Sequence, residues 1–440
     1  MKKILFLFVL LCNAVNLNAQ DTKQIDDYLN VLEANNKLMA TISVTKDGNQ
    51  FYNKAVGFAD VSSNVKNTNE TKFRIGSITK AFTAVMIFQL IDEKRLTLDT
   101  PLSLYFNEIP NASKITIANL LNHSSGLFNI TNASDFGEWM LGSSSRADML
   151  KRLKSYDVDF NPGDKTAYSN TNYILLGYII ESIDKDIYAQ ALERRITSKI
   201  DLKDTYFGGK IDSENNESHS YAIENIKWSK QLETDMSNPG GAGAIVSTSS
   251  DLTKFMDALF TGKLMSDSSF EAMKKTNDGE TCHGIFYANL DGLDIYASEG
   301  GIDGFQSMLI HVPKTKVTIA LTANALSFSK MQIMLSVLGV TNGQSIIMPV
   351  FTELQLTEEQ VKIYEGEYAS SEVPYKLIFK ANGTVLMGAP EQSNLQELRA
   401  TKQHQFIYDN LSIVLDFYPG IEVVKFTKGN DKPILFKKIK

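Results

Sequence analysis

The chain has 440 residues, of which 43% are hydrophobic and 22% are charged, values that are ordinary for globular proteins. This length predicts one large domain with a small one, or two domains of moderate size. The formal net charge of −7 and the lack of a dense lysine/arginine tract argue against a nucleic-acid partner.

The N-terminal segment 1–19 has the pattern of a secretory signal peptide. Two lysines precede an apolar stretch at 4–11, and small and polar residues follow up to Ala19. The stretch is too short to span a bilayer, so a membrane anchor is the weaker alternative. Cleavage after Ala19 would change the net charge from −7 to −9 and leave Cys282 as the sole cysteine. We therefore expect a periplasmic or secreted protein with no internal disulfide and no integral membrane segment after cleavage.

Hydrophobic patterns in the mature chain predict where its helices and strands lie. In chain order they indicate a helix at 22–36, a hairpin at 38–61, a buried helix at 77–90, a mostly helical middle to about residue 260, and strands at 293–298, 306–312 and 316–322. Strands at both ends with helices between them favour an α+β fold. We expect one antiparallel sheet that is closed by both ends of the segment 20–345, flanked by helices and carrying a helical subdomain.

A second module is predicted beyond the composition shift at 343–354. Short strand patterns separated by turn residues occur at 364–368, 375–379, 384–387, 406–408, 412–417 and 422–426. We expect residues 355–440 to form a small all-β module, within the usual size of a domain.

Ser77 and Lys80 form the first candidate catalytic pair. Residues three apart on a helix lie on one face, and the helix N-terminus favours negative charge on the serine. Because the helix is strongly apolar, burial disfavours the ammonium form of Lys80, and the neutral amine can accept the serine proton. The Ser-x-x-Lys spacing alone is weak, since it also starts at Ser43, Ser63, Ser182 and Ser327. Only the copy at Ser77 follows a strand pattern and a glycine and opens an apolar helix.

Tyr168 and Asn170 form a second candidate pair, in the stretch NPGDKTAYSNTNYILLGYIIE. A Pro-Gly turn brings in the tyrosine, and Asn170 or Thr171 can cap the helix that follows. Capping alone would explain the asparagine, and it does not exclude catalysis.

Glycines in the stretch YASEGGIDGFQSML form the third candidate feature. Gly300 and Gly301 on a strand would let a substrate backbone lie against the strand edge, although a simple bulge is the alternative.

His123 is expected to have a structural role. No His-Glu-x-x-His spacing or Cys/His cluster indicates a metal, no cofactor is predicted, and the missing Gly-x-Ser-x-Gly elbow argues against an α/β-hydrolase.

Taken in order, five segments resemble the serine β-lactamase and penicillin-binding-protein superfamily, in its branch related to class C β-lactamases, DD-peptidases and esterases. The segments are FRIGSITKAFTA, LLNHSSGLFN, NPGDKTAYSNTNYILLGYIIE, GGAGAIVSTSSDLTKFMDALFTGKL and GGIDGF. The resemblance covers roughly residues 25 to 340, and the tail resembles the lipocalin-like modules attached to this branch. It implies an antiparallel sheet flanked by helices, with the site in a cleft beside a helical subdomain.

The resemblance also implies roles for individual residues. Ser77 would be the acyl-accepting nucleophile, Lys80 would assist its deprotonation, and Tyr168 would be a base or proton shuttle. Asn170 would hydrogen-bond Lys80 and the substrate amide. The backbone N–H groups of Ser77 and Gly301 would form the oxyanion hole. The implied activity is that of a serine hydrolase of esterase, amidase or D-amino-acid peptidase type, acting on a small molecule, a peptide or a peptidoglycan-derived substrate.

One motif departs from the family pattern. The third motif usually begins with Lys or His, followed by a small residue and Gly, whereas this chain has Ser298, Glu299 and Gly300. Losing a charge-assisted hydrogen bond to a substrate carboxylate costs roughly 1.5–3 kcal/mol, or about one to two decades in affinity. Ser298 can donate only a neutral hydrogen bond, so we predict poor or absent β-lactamase activity. A ligand-binding or sensory protein that has lost turnover is the alternative function.

Overall fold

A computed structural model describes residues 21–224, 227–290, 292–429 and 431–440. The predicted signal peptide at 1–19 lies outside these residues. Across the described ranges, no helix is both long and apolar enough to cross a bilayer.

The chain alternates between strands and helices up to residue 341 and is mainly strand beyond residue 366. Its strands up to residue 326 are β1 (Leu38–Lys46), β2 (Asn49–Val56), β3 (Phe58–Asp60), β4 (Val65–Lys66), β5 (Phe73–Arg74), β6 (Tyr206–Phe207), β7 (Tyr221–Glu224), β8 (Lys227–Lys230), β9 (Ile245–Ser247), β10 (Phe286–Leu290), β11 (Leu293–Ile302), β12 (Phe305–Val312) and β13 (Val317–Leu326). The α-helices are α1 (21–34), α2 (Thr79–Asp92), α3 (Ile117–Leu121), α4 (Phe136–Trp139), α5 (Arg146–Lys154), α6 (Asn170–Asp184), α7 (Tyr188–Leu192), α8 (Ser249–Phe260), α9 (Asp267–Lys274), α10 (Lys330–Thr341) and α11 (Glu358–Lys362).

The central sheet is antiparallel and has six strands in the order β10-β11-β12-β13-β1-β2. Strand β1 pairs with β13, the last strand of this sheet in chain order, from Leu38 opposite Leu326 to Lys46 opposite Val317. Both strands are buried along nearly their whole length, because α1 and α10 cover one face and α8 covers the other. The prediction of an α+β fold with a sheet closed by both chain ends is confirmed.

Helix α2 lies in the middle of the larger hydrophobic core. It is buried on all sides from Thr79 to Leu90, and the ring of Phe82 stacks on Phe255 of α8 with centroids 3.7 Å apart. A helix that is apolar all round is expected to be enclosed by other elements, and α6, α7 and α9 complete the enclosure here. The middle of the chain also holds a three-stranded sheet, β5-β9-β6, and the hairpin β7-β8. Of these strands, β5 coincides with the strand pattern predicted before Ser77, whereas β6 to β9 were not predicted because they are only two to four residues long.

The C-terminal module is a closed eight-stranded antiparallel barrel, in which the last strand pairs back on the first. Its strands are β14 (Gly366–Ala369), β15 (Lys376–Asn382), β16 (Val385–Pro390), β17 (Gln396–Lys402), β18 (Gln405–Tyr408), β19 (Ile413–Tyr418), β20 (Val423–Lys428) and β21 (Ile434–Lys438). Six strands lie where they were predicted, whereas β17 and β21 were missed. The all-β character of the module is confirmed.

Candidate active site

Ser77 lies in a single 3₁₀ turn, Gly76–Ile78, between β5 and α2. The turn packs directly against β11, and two glycines make that approach possible. Gly76 has a φ of 52°, and a Cβ on it would lie 2.8 Å from the backbone nitrogen of Gly301. A Cβ on Gly300 would lie 2.0 Å from the carbonyl oxygen of Ile75. The predicted helix at 77–90 is thus corrected at its start, because Ser77 precedes α2.

A buried ion pair ties the same two segments together. Arg74, at the end of β5, donates to Asp303 in the β11–β12 turn at 2.8 Å, and both side chains are almost completely buried. Asp303 also accepts hydrogen bonds from the backbone and hydroxyl of Thr234. Because removing one partner of such a pair leaves an uncompensated charge, this contact holds the Ser77 turn rigidly against β11.

Lys80 points from the first turn of α2 into a set of three oxygen atoms. Its Nζ lies 2.8 Å from Ser77 Oγ, 2.8 Å from Asn170 Oδ1 and 2.7 Å from the carbonyl oxygen of Ala242. Burial holds the pKa of Lys80 well below its ordinary value. A neutral amine has two N–H donors and one lone pair. The two acceptors, Asn170 and Ala242, use both donors, so the lone pair faces the hydroxyl of Ser77.

Tyr168 approaches Ser77 from the other side. Its hydroxyl lies 2.7 Å from Ser77 Oγ and 3.4 Å from Asn170 Oδ1, while 42% of the residue remains exposed to the cleft. Burial of the hydroxyl raises the pKa of Tyr168 to about 12; the hydrogen bond with Ser77 lowers it and the negative charge of Glu299 raises it further. The phenol therefore keeps its proton at neutral pH.

The amide of Asn170 is oriented by two neighbours on the preceding loop. Its Nδ2 donates to Asn129 Oδ1 at 3.2 Å and to Thr131 Oγ1 at 3.3 Å, which turns Oδ1 toward Lys80. The predicted capping role is wrong, because Asn170 is the first residue of α6 and its own backbone N–H donates to Asn129 at 2.9 Å. The hydroxyl of Thr171 donates to the carbonyl oxygen of Phe128.

His123 supports the tyrosine from behind. Its Nδ1 accepts a hydrogen bond from the backbone of Ser169 at 3.1 Å, and its ring lies 4.6 Å from the ring of Tyr168. Burial, followed by the nearby charge of Lys80, lowers the pKa of His123 to about 3. A neutral imidazole in this place accepts a backbone hydrogen bond from the loop that carries Tyr168.

The third motif lines the opposite wall of the cleft. Pairing of β10 with β11 ends at Ala297, so the segment from Ser298 to Gly301 presents one edge to the cleft beside Ser77. Ser298 is 3% exposed and faces the cavity. Glu299 reaches across the cavity mouth to Lys330 at the start of α10, with Oε2 and Nζ 3.2 Å apart. A cation is therefore present near the third motif, supplied by a different segment.

The structure brings Ser77, Lys80, Tyr168 and Asn170 into one hydrogen-bonded group, with Ser298, Gly300 and Gly301 on the facing strand. Sequence reasoning missed Asn129, Thr131, Ala242 and Lys330. Asn129 lies in LLNHSSGLFN, one of the five segments that carry the resemblance, whereas Ala242 contacts Lys80 through its backbone and leaves no side-chain signal. Over the described ranges, no group of three or more His, Cys, Asp and Glu residues could hold a metal ion.

Two bacterial proteins are among the known proteins that are similar to this chain. The chain is 30% identical over 265 residues to the putative penicillin-binding protein PbpX of Bacillus subtilis, covering 60% of this chain and 65% of that protein. It is 25% identical over 251 residues to the teichoic acid D-alanine hydrolase of Staphylococcus aureus, covering 57% of this chain and 60% of that protein. The chain thus spans less than two thirds of the length of both relatives.

A solved structure and a family model cover the same region. The D-stereospecific amidohydrolase from Streptomyces sp. superposes with a TM-score of 0.63 at 25% identity, covering 72% of this chain and 97% of that one. The model of the Beta-lactamase family matches residues 31–334, which include all elements of the cleft. The chain therefore belongs to the Beta-lactamase family.

Proposed function

We propose that the protein is an exported serine hydrolase that cleaves an ester, amide or peptide bond through an acyl-enzyme on Ser77. The observation that carries the proposal is the placement of Ser77 Oγ between Lys80 Nζ at 2.8 Å and Tyr168 OH at 2.7 Å. A nucleophile within hydrogen-bonding reach of a base, which is itself oriented by a third group, is the signature of an activated nucleophile.

In the acylation step, the lone pair of Lys80 accepts the proton of Ser77 as Oγ attacks the substrate carbonyl carbon. The backbone N–H groups of Ser77 and Gly301 stabilise the oxyanion, at the contact that Gly76 and Gly300 make possible. Tyr168 donates its proton to the leaving group as the carbonyl–leaving-group bond breaks. The phenolate recovers a proton from the ammonium of Lys80, which returns both groups to their starting states.

Deacylation reverses these transfers with water as the nucleophile. Lys80 and Tyr168 together accept a proton from the attacking water and return one to Ser77 Oγ, which leaves as the hydroxyl. A tyrosine whose pKa is about 12 is protonated before and after each step, so it acts as a shuttle in both directions.

The relatives favour acyl groups of D-amino-acid type as substrates. One is named as a teichoic acid D-alanine hydrolase and another as a D-stereospecific amidohydrolase. We expect weak activity on β-lactams, because Ser298 stands where the family usually has a cation. Rapid hydrolysis of a chromogenic cephalosporin at low enzyme concentration would contradict this expectation.

The experiment is labelling with a fluorophosphonate probe followed by peptide mass spectrometry. We expect the probe on Ser77, complete loss of labelling in Ser77→Ala, and normal labelling in Ser63→Ala. Ser63 is a matched control because it has the same Ser-x-x-Lys spacing in an exposed loop. A folded wild-type protein that remains unlabelled, hydrolyses none of a panel of D-aminoacyl esters, and is nevertheless stabilised by them would favour the binding or sensory alternative.

Export is a separate part of the proposal. We expect the mature protein to begin at Gln20 when the full chain is expressed in a Gram-negative host, with the product in the periplasm or medium. Intact-mass measurement checks this, and an uncleaved N-terminus in the cytoplasmic fraction would overturn it.

A further inference from the structure

The C-terminal barrel is filled with aromatic rings at one end and is hollow at the other. At the filled end, Phe406 and Phe417 pack against Tyr364, which precedes the first barrel strand. The hollow end encloses a cavity of about 580 Å³. Two smaller cavities, of about 500 and 350 Å³, adjoin Ser77 and belong to the site described above. The barrel cavity is a separate space that the proposed hydrolysis does not use.

The cavity lies inside the barrel, because alternate residues of the strands line it. Side chains two residues apart on a strand point to the same face of the sheet, and in a closed barrel that face is the interior. The lining includes Leu377 and Phe379 on β15, Gln396 and Leu398 on β17, Ile413 and Leu415 on β19, and Phe426 and Lys428 on β20. An eight-stranded barrel is wide enough either to be filled by its own side chains or to hold one small ligand.

Solvent reaches apolar side chains inside the hollow end. Ile413, Phe426 and Ile434 line the cavity and are only half-buried. In contrast, Phe406 and Phe417 at the filled end are buried. Apolar surface that remains in contact with water contributes no hydrophobic stabilisation, and a ligand that covers it gains that free energy. Together with a volume in the usual range of small-molecule sites, this lining predicts an apolar ligand.

The cavity opens at one identifiable end of the barrel. Because consecutive strands run up and down, every second connection lies at the same end. The connections 391–395 and 409–412 both contribute to the lining of the cavity. In the described part of the chain, the charged residues that line it are Lys428, Asp431 and Lys432, and all three are exposed. Two lysines and one aspartate give this mouth a net positive charge.

We propose that the barrel binds a single-chain amphiphile, with its aliphatic chain in the cavity and its anionic head group beside Lys428 and Lys432. The strands enclose the cavity laterally, so a straight chain can enter from the mouth and lie along the barrel interior. A carboxylate and a phosphate head group share the chemistry that the two lysines recognise. The inference concerns a site apart from Ser77 and does not depend on the proposed hydrolase function.

The test is calorimetric titration of the mature protein with octanoate, decanoate, decyl phosphate and decanol, each below its micelle concentration. We expect one site per chain and about tenfold tighter binding of decanoate than of octanoate, because two more methylene groups are buried. Decanoate or decyl phosphate should bind several-fold more tightly than decanol, and the tighter of the two identifies the head group. Affinity that is independent of chain length, or no saturable binding, would overturn the inference.

The head-group site is tested with the double variant Lys428→Gln and Lys432→Gln. It should bind decanol as the wild type does but lose the preference for the anionic ligands over decanol, since that preference depends on the two charges. Lys380→Gln is the matched control, because Lys380 is an exposed lysine of β15 that does not line the cavity. A preference that persists undiminished in the double variant would refute the head-group assignment.

The position of the chain is tested by filling the cavities one at a time. Ile413→Trp should weaken decanoate binding at least tenfold, because the larger ring occupies the barrel cavity. Val414→Trp places the same ring on the outer face of β19 and should leave binding unchanged. Met140→Trp fills the 350 Å³ cavity beside Ser77 and should also leave it unchanged. Loss of binding in Met140→Trp but not in Ile413→Trp would place the chain beside Ser77 and overturn the inference.

A second barrel variant guards against misfolding of Ile413→Trp. Leu411 lies at the mouth and is 50% exposed, so Leu411→Asp should leave the urea unfolding transition nearly unchanged. Its carboxylate repels the anionic head group and removes an apolar contact, so decanoate binding should weaken about tenfold. Wild-type affinity in a folded Leu411→Asp protein would contradict the proposed site.

Discussion

The core of the catalytic domain encloses a titratable amine, whereas the core of the barrel consists of aromatic rings. The centre of the catalytic domain contains Lys80, a nearly fully buried amine surrounded by oxygen atoms. The centre of the barrel contains Phe417, whose ring lies 4.9 to 5.9 Å from four aromatic neighbours. Burial of a titratable group is costly, whereas burial of aromatic rings is favourable. The proposed function accounts for this difference, because the proposed chemistry requires a buried amine.

The strongest test of this comparison replaces the buried amine of the catalytic core with an apolar side chain, so that this core becomes apolar like that of the barrel. We expect Lys80→Met to lower kcat/KM by roughly 10²–10⁴, the usual contribution of a general base. The free energy of unfolding should change by less than about 2 kcal/mol, since the loss of a desolvated amine offsets two acceptors left without their donor. Ester hydrolysis and urea unfolding measure the two quantities. A strongly destabilised protein would show that Lys80 is mainly structural.

The converse substitution in the barrel should affect stability alone. Phe417→Ala removes a ring that is 3% exposed, and we expect a loss of about 3–5 kcal/mol in the free energy of unfolding of the barrel. Activity per folded molecule should stay within twofold, because Phe417 lies in the barrel core and lines neither cavity beside Ser77. Phe417→Leu serves as the conservative control, with a smaller loss expected. A large fall in kcat at temperatures where the protein is folded would contradict the separation of the two cores.

The pH dependence of kcat/KM should also reveal the titratable amine in the core of the catalytic domain. Because the amine form of Lys80 is required, kcat/KM should rise about tenfold per pH unit on one acid limb and then reach a plateau below pH 10. Tyr168, with a pKa of about 12, adds no alkaline limb in this range, and His123, with a pKa of about 3, adds no second acid limb near neutrality. A stopped-flow pH profile checks this. A bell-shaped profile centred near neutrality would contradict the assignment.

The lowered pKa of Lys80 also makes the free energy of unfolding depend on pH. The pKa of Lys80 is lower in the folded state, so the unfolded chain binds one more proton between the folded pKa and the ordinary value of 10.5. Stability therefore rises with pH in that window and levels off above it. Lys80→Met should remove this slope, whereas Phe417→Ala should leave it intact.

Much of the fold could be predicted because its main strands are long and alternate or are continuously apolar. The strands β1, β12 and β13 each span eight to ten residues. Because they are buried, their sequences are rich in apolar residues, and this pattern predicts a strand. Strands of two residues, such as Tyr206–Phe207, have no period to detect. In the barrel, β17 was missed because its sequence QELRATK has charged residues that mask the alternation.

Only those site residues that lie in sequence motifs could be predicted. Ser77, Lys80 and Tyr168 could be predicted as site residues because the five segments of the resemblance occur in one order. Lys330 belongs to a Ser-x-x-Lys spacing, starting at Ser327, that chance explains, and no local pattern places it at the cleft. Its position depends on how α10 packs on the sheet, a long-range property that a sequence window does not contain.

The smallest expected effect lies where the barrel meets the catalytic domain. Lys37 pairs with Asp409 at 3.0 Å, and Asp409 also binds Arg399 at 2.8 Å. Burial raises the pKa of Asp409, but the hydrogen bond from Arg399 and the charge of Lys37 outweigh it and leave the pKa below its ordinary value. Because Arg399 still compensates the carboxylate, Lys37→Gln should cost about 1 kcal/mol in the free energy of unfolding.

The contribution of Asp409 is present above its unfolded pKa and is lost as the pH falls through the folded value. Lys37→Gln should therefore lose its destabilising effect in acid, where the wild type also loses the pair. Urea unfolding at neutral and acidic pH measures the difference, with Lys316→Gln as an exposed control whose effect should be close to zero at both. A cost in Lys37→Gln that persists undiminished below the folded pKa of Asp409 would show that the lysine acts by packing on Phe351, 5.4 Å away, instead of by its charge pair.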